Sequence, residues 1–95
     1  MKFRKKPVVI EAFQLTEETR ANNVDWPEWA NYAWNKDPDE DGALFCEAGV
    51  GDGPLFICTL EGVMRVDFTD WIIRGIKGEL YSCRSDIFAA TYEKV

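Results

Sequence analysis

Between Thr59 and Tyr92 short apolar segments alternate with turn residues, in the run TLEGVMRVDFTDWIIRGIKGELYSCRSDIFAATY. Within Val63 to Phe68, Met64, Val66 and Phe68 fall on one side and Arg65 and Asp67 on the other, the period of two that a half-buried strand needs. Glu61-Gly62 marks a tight turn before that strand, Thr69-Asp70 begins a reversal after it, and Trp71 to Arg74 follows as another strand. Gly75 and Gly78 bracket the turn GIKG, which leads into Glu79 to Cys83. After a bend at Arg84 to Asp86 the pattern predicts a last strand near Phe88 to Glu93. Short strands joined by tight turns make an antiparallel meander that curls to close its edges.

Upstream, Lys2 to Leu15 reads as a strand whose first half lies at an edge or beyond the sheet, because Pro7 has no N–H to donate. Ile10, Ala12 and Phe13 should enter the core, while Glu11 and Gln14 face out or bind something. The natural partner for this strand is the last one, a pairing that would bury Ile10, Phe88 and Tyr92 together. Thr16 followed by Glu17 and Glu18 is a helix start, cut short by Asn22 and Asn23. A stronger start is Asp25 with Glu28 three residues on and Pro27 between them. Trp26, Trp29, Ala30, Ala33 and Trp34 then recur at helical spacing and predict a helix from about Trp26 to Asn35, ending before Asp37-Pro38. Three tryptophans on one face suit a recognition surface, but a domain this small needs their area in its core, and that reading is the simpler one.

Ala43 to Ala48 and Leu55 to Leu60 are further strand candidates, separated by GVGDGP at 49–54. The glycine spacing there is not GxGxxG and no GK[ST] follows, so a hairpin loop fits better than a phosphate cradle. LFICTL is apolar on both faces, as a central strand should be. The expected fold class is α+β: a small, strongly bent antiparallel sheet or partial barrel with one amphipathic helix packed on it.

Composition narrows the setting. At 95 residues the chain is long enough for one core and not for two. It is 46% hydrophobic, with four Trp, six Phe and three Tyr, which excludes a disordered polar segment. A net charge of −6 repels phosphate backbones and argues against nucleic-acid binding. The charge is uneven: Lys2, Arg4, Lys5 and Lys6 are basic, and Asp37, Asp39, Glu40 and Asp41 are acidic. Glu11 interrupts the apolar stretch after the basic start, so no signal peptide or membrane span is expected, and the protein is placed in the cytoplasm. Cys46, Cys58 and Cys83 are odd in number, lack CxxC spacing and read as small buried hydrophobes.

The absence of histidine removes Ser-His-Asp and Cys-His catalysis and the commonest zinc ligand. No metal site, cofactor or catalytic residue is therefore assigned. The candidate ligand-binding set is Asp70, Trp71, Arg74, Lys77 and Glu79. It joins an indole that can stack on a flat ligand to a guanidinium that can hold phosphate or carboxylate in a fork, beside a lysine at a glycine-flanked turn. The simpler reading of the same residues is a cross-strand pair of Arg74 with Glu79, flanking a hairpin whose tryptophan is core.

The segments TLEG, DWIIRG, KGELY, DIF and TYE, in that order, together with the opening FRKKPVVIEAFQ, resemble a family of small phage and prophage proteins known as PGDYG proteins. The resemblance covers both ends of the chain and leaves residues 16–54 variable. It implies a phage or prophage origin and work inside an infected bacterial cell, and it supplies no catalytic residue. One departure stands out: Phe68-Thr69-Asp70 occupies the place of the Pro-Gly-Asp turn in the family name, so the glycine that would accept a positive φ is missing. The expected function is a non-enzymatic binding module for a host protein or a small anionic ligand, countering host defence. Two alternatives are a small hydrolase using paired carboxylates among Glu61, Asp67, Asp70 and Glu79, with or without a metal, and a homo-oligomeric assembly protein that pairs through its N-terminal strand.

Overall fold

The computed structural model describes residues 1–4, 6–47 and 53–95; Ala48 and most of the expected loop at 49–54 lie outside the described residues. Two three-stranded antiparallel sheets carry the fold. The first has the order β1-β5-β6, from β1 (Glu11–Gln14), β5 (Trp71–Arg74) and β6 (Leu80–Cys83). The second has the order β2-β3-β4, from β2 (Leu44–Phe45), β3 (Leu55–Thr59) and β4 (Gly62–Val66). Strands β3 and β4 lie against β6, so the sheets meet at an angle instead of closing into a barrel. The fold is α+β, as the periodicities require.

Among the described residues three helices complete it, α1 (Glu17–Ala21), α2 (Glu28–Trp34) and α3 (Ser85–Thr91), with a 3-10 turn at Asn23–Asp25. Helix α1 starts where the sequence says it should. The Thr16 hydroxyl accepts from the Thr19 N–H at 3.2 Å while the Thr19 hydroxyl accepts from the Thr16 N–H at 2.7 Å, a reciprocal capping box. Helix α2 starts two residues later than the spacing predicts, because Asp25 is used in the 3-10 turn and Pro27 becomes the N-cap. The Trp26 indole N–H donates to the Thr19 carbonyl and holds that turn against α1.

The core gathers Leu15, Trp26, Ala30, Ala33, Leu44, Leu55, Ile57, Val66, Ile72 and Leu80. Tryptophans of the helical stripe are therefore core: Phe13 packs on Trp26 and Trp29 at 5.5 and 5.7 Å, and Trp34 meets Trp26 edge-on at 5.6 Å. Arg20 is buried with them, which the sequence did not suggest. Its guanidinium lies over the Trp34 ring and its Nε donates to the Gly53 carbonyl at 2.9 Å.

Several expectations are corrected. The last strand is instead helix α3, and β1 pairs with β5, in the register Glu11↔Arg74 to Gln14↔Trp71. Phe88 and Tyr92 are four residues apart, a helical spacing, and Phe88 stacks flat on Trp71 at 4.1 Å. Ile10, Phe88 and Tyr92 do line one groove, but across a helix. The N-terminal strand shrinks to four residues, and Met1, Phe3, Val8 and Val9 are exposed. The 43–48 strand is reduced, among the described residues, to Leu44–Phe45, and Phe68 lies in a turn outside the core. All three cysteines are free and only half-buried.

Two reversals share one geometry. Ala43 N–H bonds Glu40 C=O across a turn whose third residue is Gly42, with φ 83°; Gly42 N–H and Ala43 C=O then both pair with Cys58. Asp70 N–H bonds Asp67 C=O across a turn whose third residue is Thr69, with φ 77°; Thr69 N–H and Asp70 C=O both pair with Leu15. Each is a turn that demands positive φ, running into a bulge of the kind glycine usually opens. Thr69 adopts the conformation that glycine usually supplies, at a cost of about 1–2 kcal/mol. Neighbours hold it there: Gln14 Nε2 donates to the Thr69 carbonyl at 2.9 Å and Asp70 Oδ2 accepts from the Asp67 N–H at 3.0 Å.

Thr69→Gly should raise the urea midpoint and stability by about 1 kcal/mol, the relieved strain exceeding glycine's extra chain entropy. An unchanged or lower midpoint would show that the threonine is unstrained. A second expectation concerns alkaline pH. Burial, the hydrogen bond to Tyr92 and nearby negative charge push the Tyr81 phenol from 10.0 to about 12. The folded state then keeps a proton that the unfolded chain has lost, so stability should fall as pH rises from 10 towards 12. Tyr81→Phe should flatten that decline in urea melts taken across the same window.

Candidate functional site

Alternation along β5 decides which predicted residues can meet. Glu11, Arg74 and Leu80 are register partners on one face of the first sheet, as are Phe13, Ile72 and Ser82. Ala12, Ile73 and Tyr81, with Gln14, Trp71 and Cys83, occupy the other. Trp71 and Arg74 are three residues apart and so point to opposite faces. Trp71 lies under α3, against Phe88, while Arg74 faces the side where α2 packs.

Each remaining member of the predicted set serves its own turn. Asp70 caps the Asp67 N–H, and Glu79 Oε2 accepts the Lys77 N–H at 3.0 Å. Gly75 leaves the space that the Glu79 carboxylate fills, since a Cβ there would overlap it. Lys77 is exposed on the hairpin turn. Arg74 and Glu79 form no ion pair; the ion pairs among the described residues are Arg65–Asp67 at 2.6 Å and Arg84–Asp86 at 3.4 Å, both exposed. Of the carboxylates considered for acid–base work, Asp67, Asp70 and Glu79 are engaged in these local bonds and Glu61 sits exposed in the β3–β4 turn. Among the described residues no three His, Cys, Asp or Glu side chains gather to hold a metal ion. Burial and the neighbouring Asp70 and Asp86 push the Cys83 thiol up, away from the thiolate a nucleophile needs.

Arg74 instead lines a cleft of about 610 Å³ between the first sheet and α2. One wall is Glu11, Arg74 and Leu80 of the sheet with Gly78 of the hairpin; the other is Glu28, Trp29, Tyr32 and Lys36. The volume falls within the range of small-molecule sites. Two glycines in the left-handed region set its rim. Gly42, φ 83°, leaves room for Lys36 Nζ, which would lie 3.3 Å from an added Cβ; Gly78, φ 82°, similarly faces Arg74 Nη2 at 3.8 Å. Lys36 lies over the Tyr32 ring at 5.6 Å and donates to the Asp41 carbonyl at 3.1 Å, which leaves donors spare.

Trp29 adds an unmet need. Its indole N–H is buried without a hydrogen-bond partner, a state that costs about 1–3 kcal/mol. Sequence reading found Arg74 but missed Lys36, Trp29 and Tyr32 as its companions. The helical stripe gave the tryptophan to the core, and Lys36 carried no signal beyond its place at a helix end. Both cations reach the cleft from elements some forty residues apart, a meeting no local pattern encodes.

The fold and site together define a class: an α+β domain of two small antiparallel sheets, with a charged, aromatic-walled cleft between a sheet face and one short helix. No family model matches the chain, and neither does any curated protein or solved structure with which it was compared. No helix among the described residues is long and apolar enough to cross a membrane.

The two core tryptophans should respond differently to loss of the indole N–H. Trp26→Phe discards a satisfied bond and should cost at least about 1 kcal/mol in urea unfolding. Trp29→Phe removes an unsatisfied donor and should cost less than Trp26→Phe, despite the smaller ring. Equal costs would mean that Trp29 finds an acceptor in solution.

Proposed function

We propose that this protein is a non-enzymatic binding module for a small anionic ligand, held in the cleft between the first sheet and α2. The carrying observation is the convergence of Arg74 and Lys36 on the cleft, where Arg74 makes no hydrogen bond or ion pair with a described residue. A guanidinium with five donors and an ammonium beside it suit a carboxylate or phosphate. The Trp29 and Tyr32 side chains supply apolar wall for a flat group. Glu11 and Glu28 accept from any N–H or O–H the ligand carries and disfavour a bare polyanion, so the ligand combines an anionic end with donors.

The setting proposed for such a module is a phage or prophage accessory role in the bacterial cytoplasm, where sequestering a small anionic molecule is one way to counter host defence. That setting rests on the resemblance of the DWIIRG, KGELY, DIF and TYE segments.

Calorimetric titration with a nucleoside monophosphate, citrate and inorganic phosphate tests the reading. The nucleotide, which has an anionic end, a flat ring and donors, should bind more tightly than inorganic phosphate. Arg74→Ala should weaken it by about tenfold to a hundredfold, the loss expected for a charge-assisted bond, and Lys36→Ala by less. Arg65→Ala, whose side chain pairs with Asp67 and does not line the cleft, should leave affinity unchanged. Failure of all three probes, or binding indifferent to Arg74, would sink the proposal.

A further inference from the structure

Strand β1 ends the first sheet, so among the described residues one of its edges is unpaired. Leu15 directs its N–H and C=O to Asp70 and Thr69, on the β5 side, and by alternation Phe13 and Glu11 face β5. Ile10 and Ala12 therefore present their backbone groups outward. An edge of this kind is a template for another strand unless it is covered or charged. Here charge is distributed in an unusual way: removing the four basic side chains of residues 2–6 from a net charge of −6 leaves −10 on the rest. Lys2, Arg4 and Lys6 are exposed, as are Glu17 and Glu18 just past the other end of β1.

We infer that the edge is covered by β1 of a second copy of this chain, paired antiparallel about a two-fold axis near Ile10. Under that symmetry residue n of one copy faces residue 20 − n of the other. Ala12 then pairs with Val8, and where the alternation of β1 continues through Val8 both hydrogen bonds of each pair form. Pro7 falls at a position directed away from the shared edge, so its missing N–H breaks no bond. Lys6, Arg4 and Lys2 run back along the partner's β1 towards the start of its α1, where Glu17 and Glu18 are exposed. Opposite charges thus meet on both sides of the axis, and a parallel arrangement would set like charges together. The axis also joins two apolar grooves. In each copy a groove of about 460 Å³ runs between Val8, Ile10 and Ala12 on one side and Phe88 and Tyr92 on the other, and isologous pairing places the two end to end on the same sheet face. The free edge, the groove beside it and the complementary charges are three separate features that a second copy satisfies at once.

Sedimentation velocity and native mass spectrometry of the full chain test this. At low salt, about 50 mM, a dimer is expected at tens of micromolar protein, weakening at about 500 mM where exposed charges are screened. Ile10→Pro removes an outward N–H at the axis and should raise the dimer dissociation constant at least tenfold. Should that variant fail to fold, judged by circular dichroism, the charge exchange decides. Glu17→Lys with Glu18→Lys should raise the constant at least tenfold, as should Lys2→Glu with Arg4→Glu and Lys6→Glu, and combining both sets in one chain should restore it. A wild-type chain that stays monomeric to about 100 µM at low salt overturns the inference. So does a dimer indifferent to these changes, which would form through another surface.

Discussion

Strand β5 is hydrogen-bonded on both edges, to β1 and β6, and carries Ile72 and Ile73, fully buried on opposite faces. Burying each isoleucine contributes roughly 1.5–3 kcal/mol relative to exposure, and neither can be exposed without unmaking one of the two packed layers. On the Ile72 side lie α2 and the second sheet; on the Ile73 side lies α3. The partition of function follows from this two-sidedness. Trp71 is committed to α3 and Arg74 to the cleft because neighbours along a strand cannot share a face. What looks in the sequence like one compact constellation is split by the pleat.

The reversals that lead into β2 and β5 matter almost as much. Turns at Glu40–Ala43 and Asp67–Asp70 each place a positive-φ residue at the third position and run directly into a bulge, so the chain changes direction and gains twist in the same few residues. One uses glycine. The other uses threonine and accepts strain, held by Gln14 and the Asp70 carboxylate. Because Leu15 is the residue opposite that bulge and is fully buried, the strained turn is tied to the centre of the core.

The cleft depends on both features. Gly42 belongs to the first of these turns, where an added Cβ would crowd Lys36 Nζ at 3.3 Å, and Gly78 belongs to the hairpin after β5, beside Arg74. The β1 edge lies on the strand that also supplies Glu11 to the cleft.

Local pattern by itself determined the short strands β3 to β6, the capping of α1 by Thr16, and the core role of Trp26, Ala30 and Ala33, because each depends on residues within one or two turns of the chain. Tertiary structure decided the rest. Phe88 to Glu93 has the apolar density of a strand, and its helical form is fixed by Phe88 stacking on Trp71, a contact across seventeen residues of sequence. The pairing of β1 with β5, the burial of Arg20 beneath Trp34 and the meeting of Arg74 with Lys36 join segments far apart in the chain. Period and propensity carry no information about such distances; the competition for buried area and hydrogen-bond partners settles them only once the whole chain is folded.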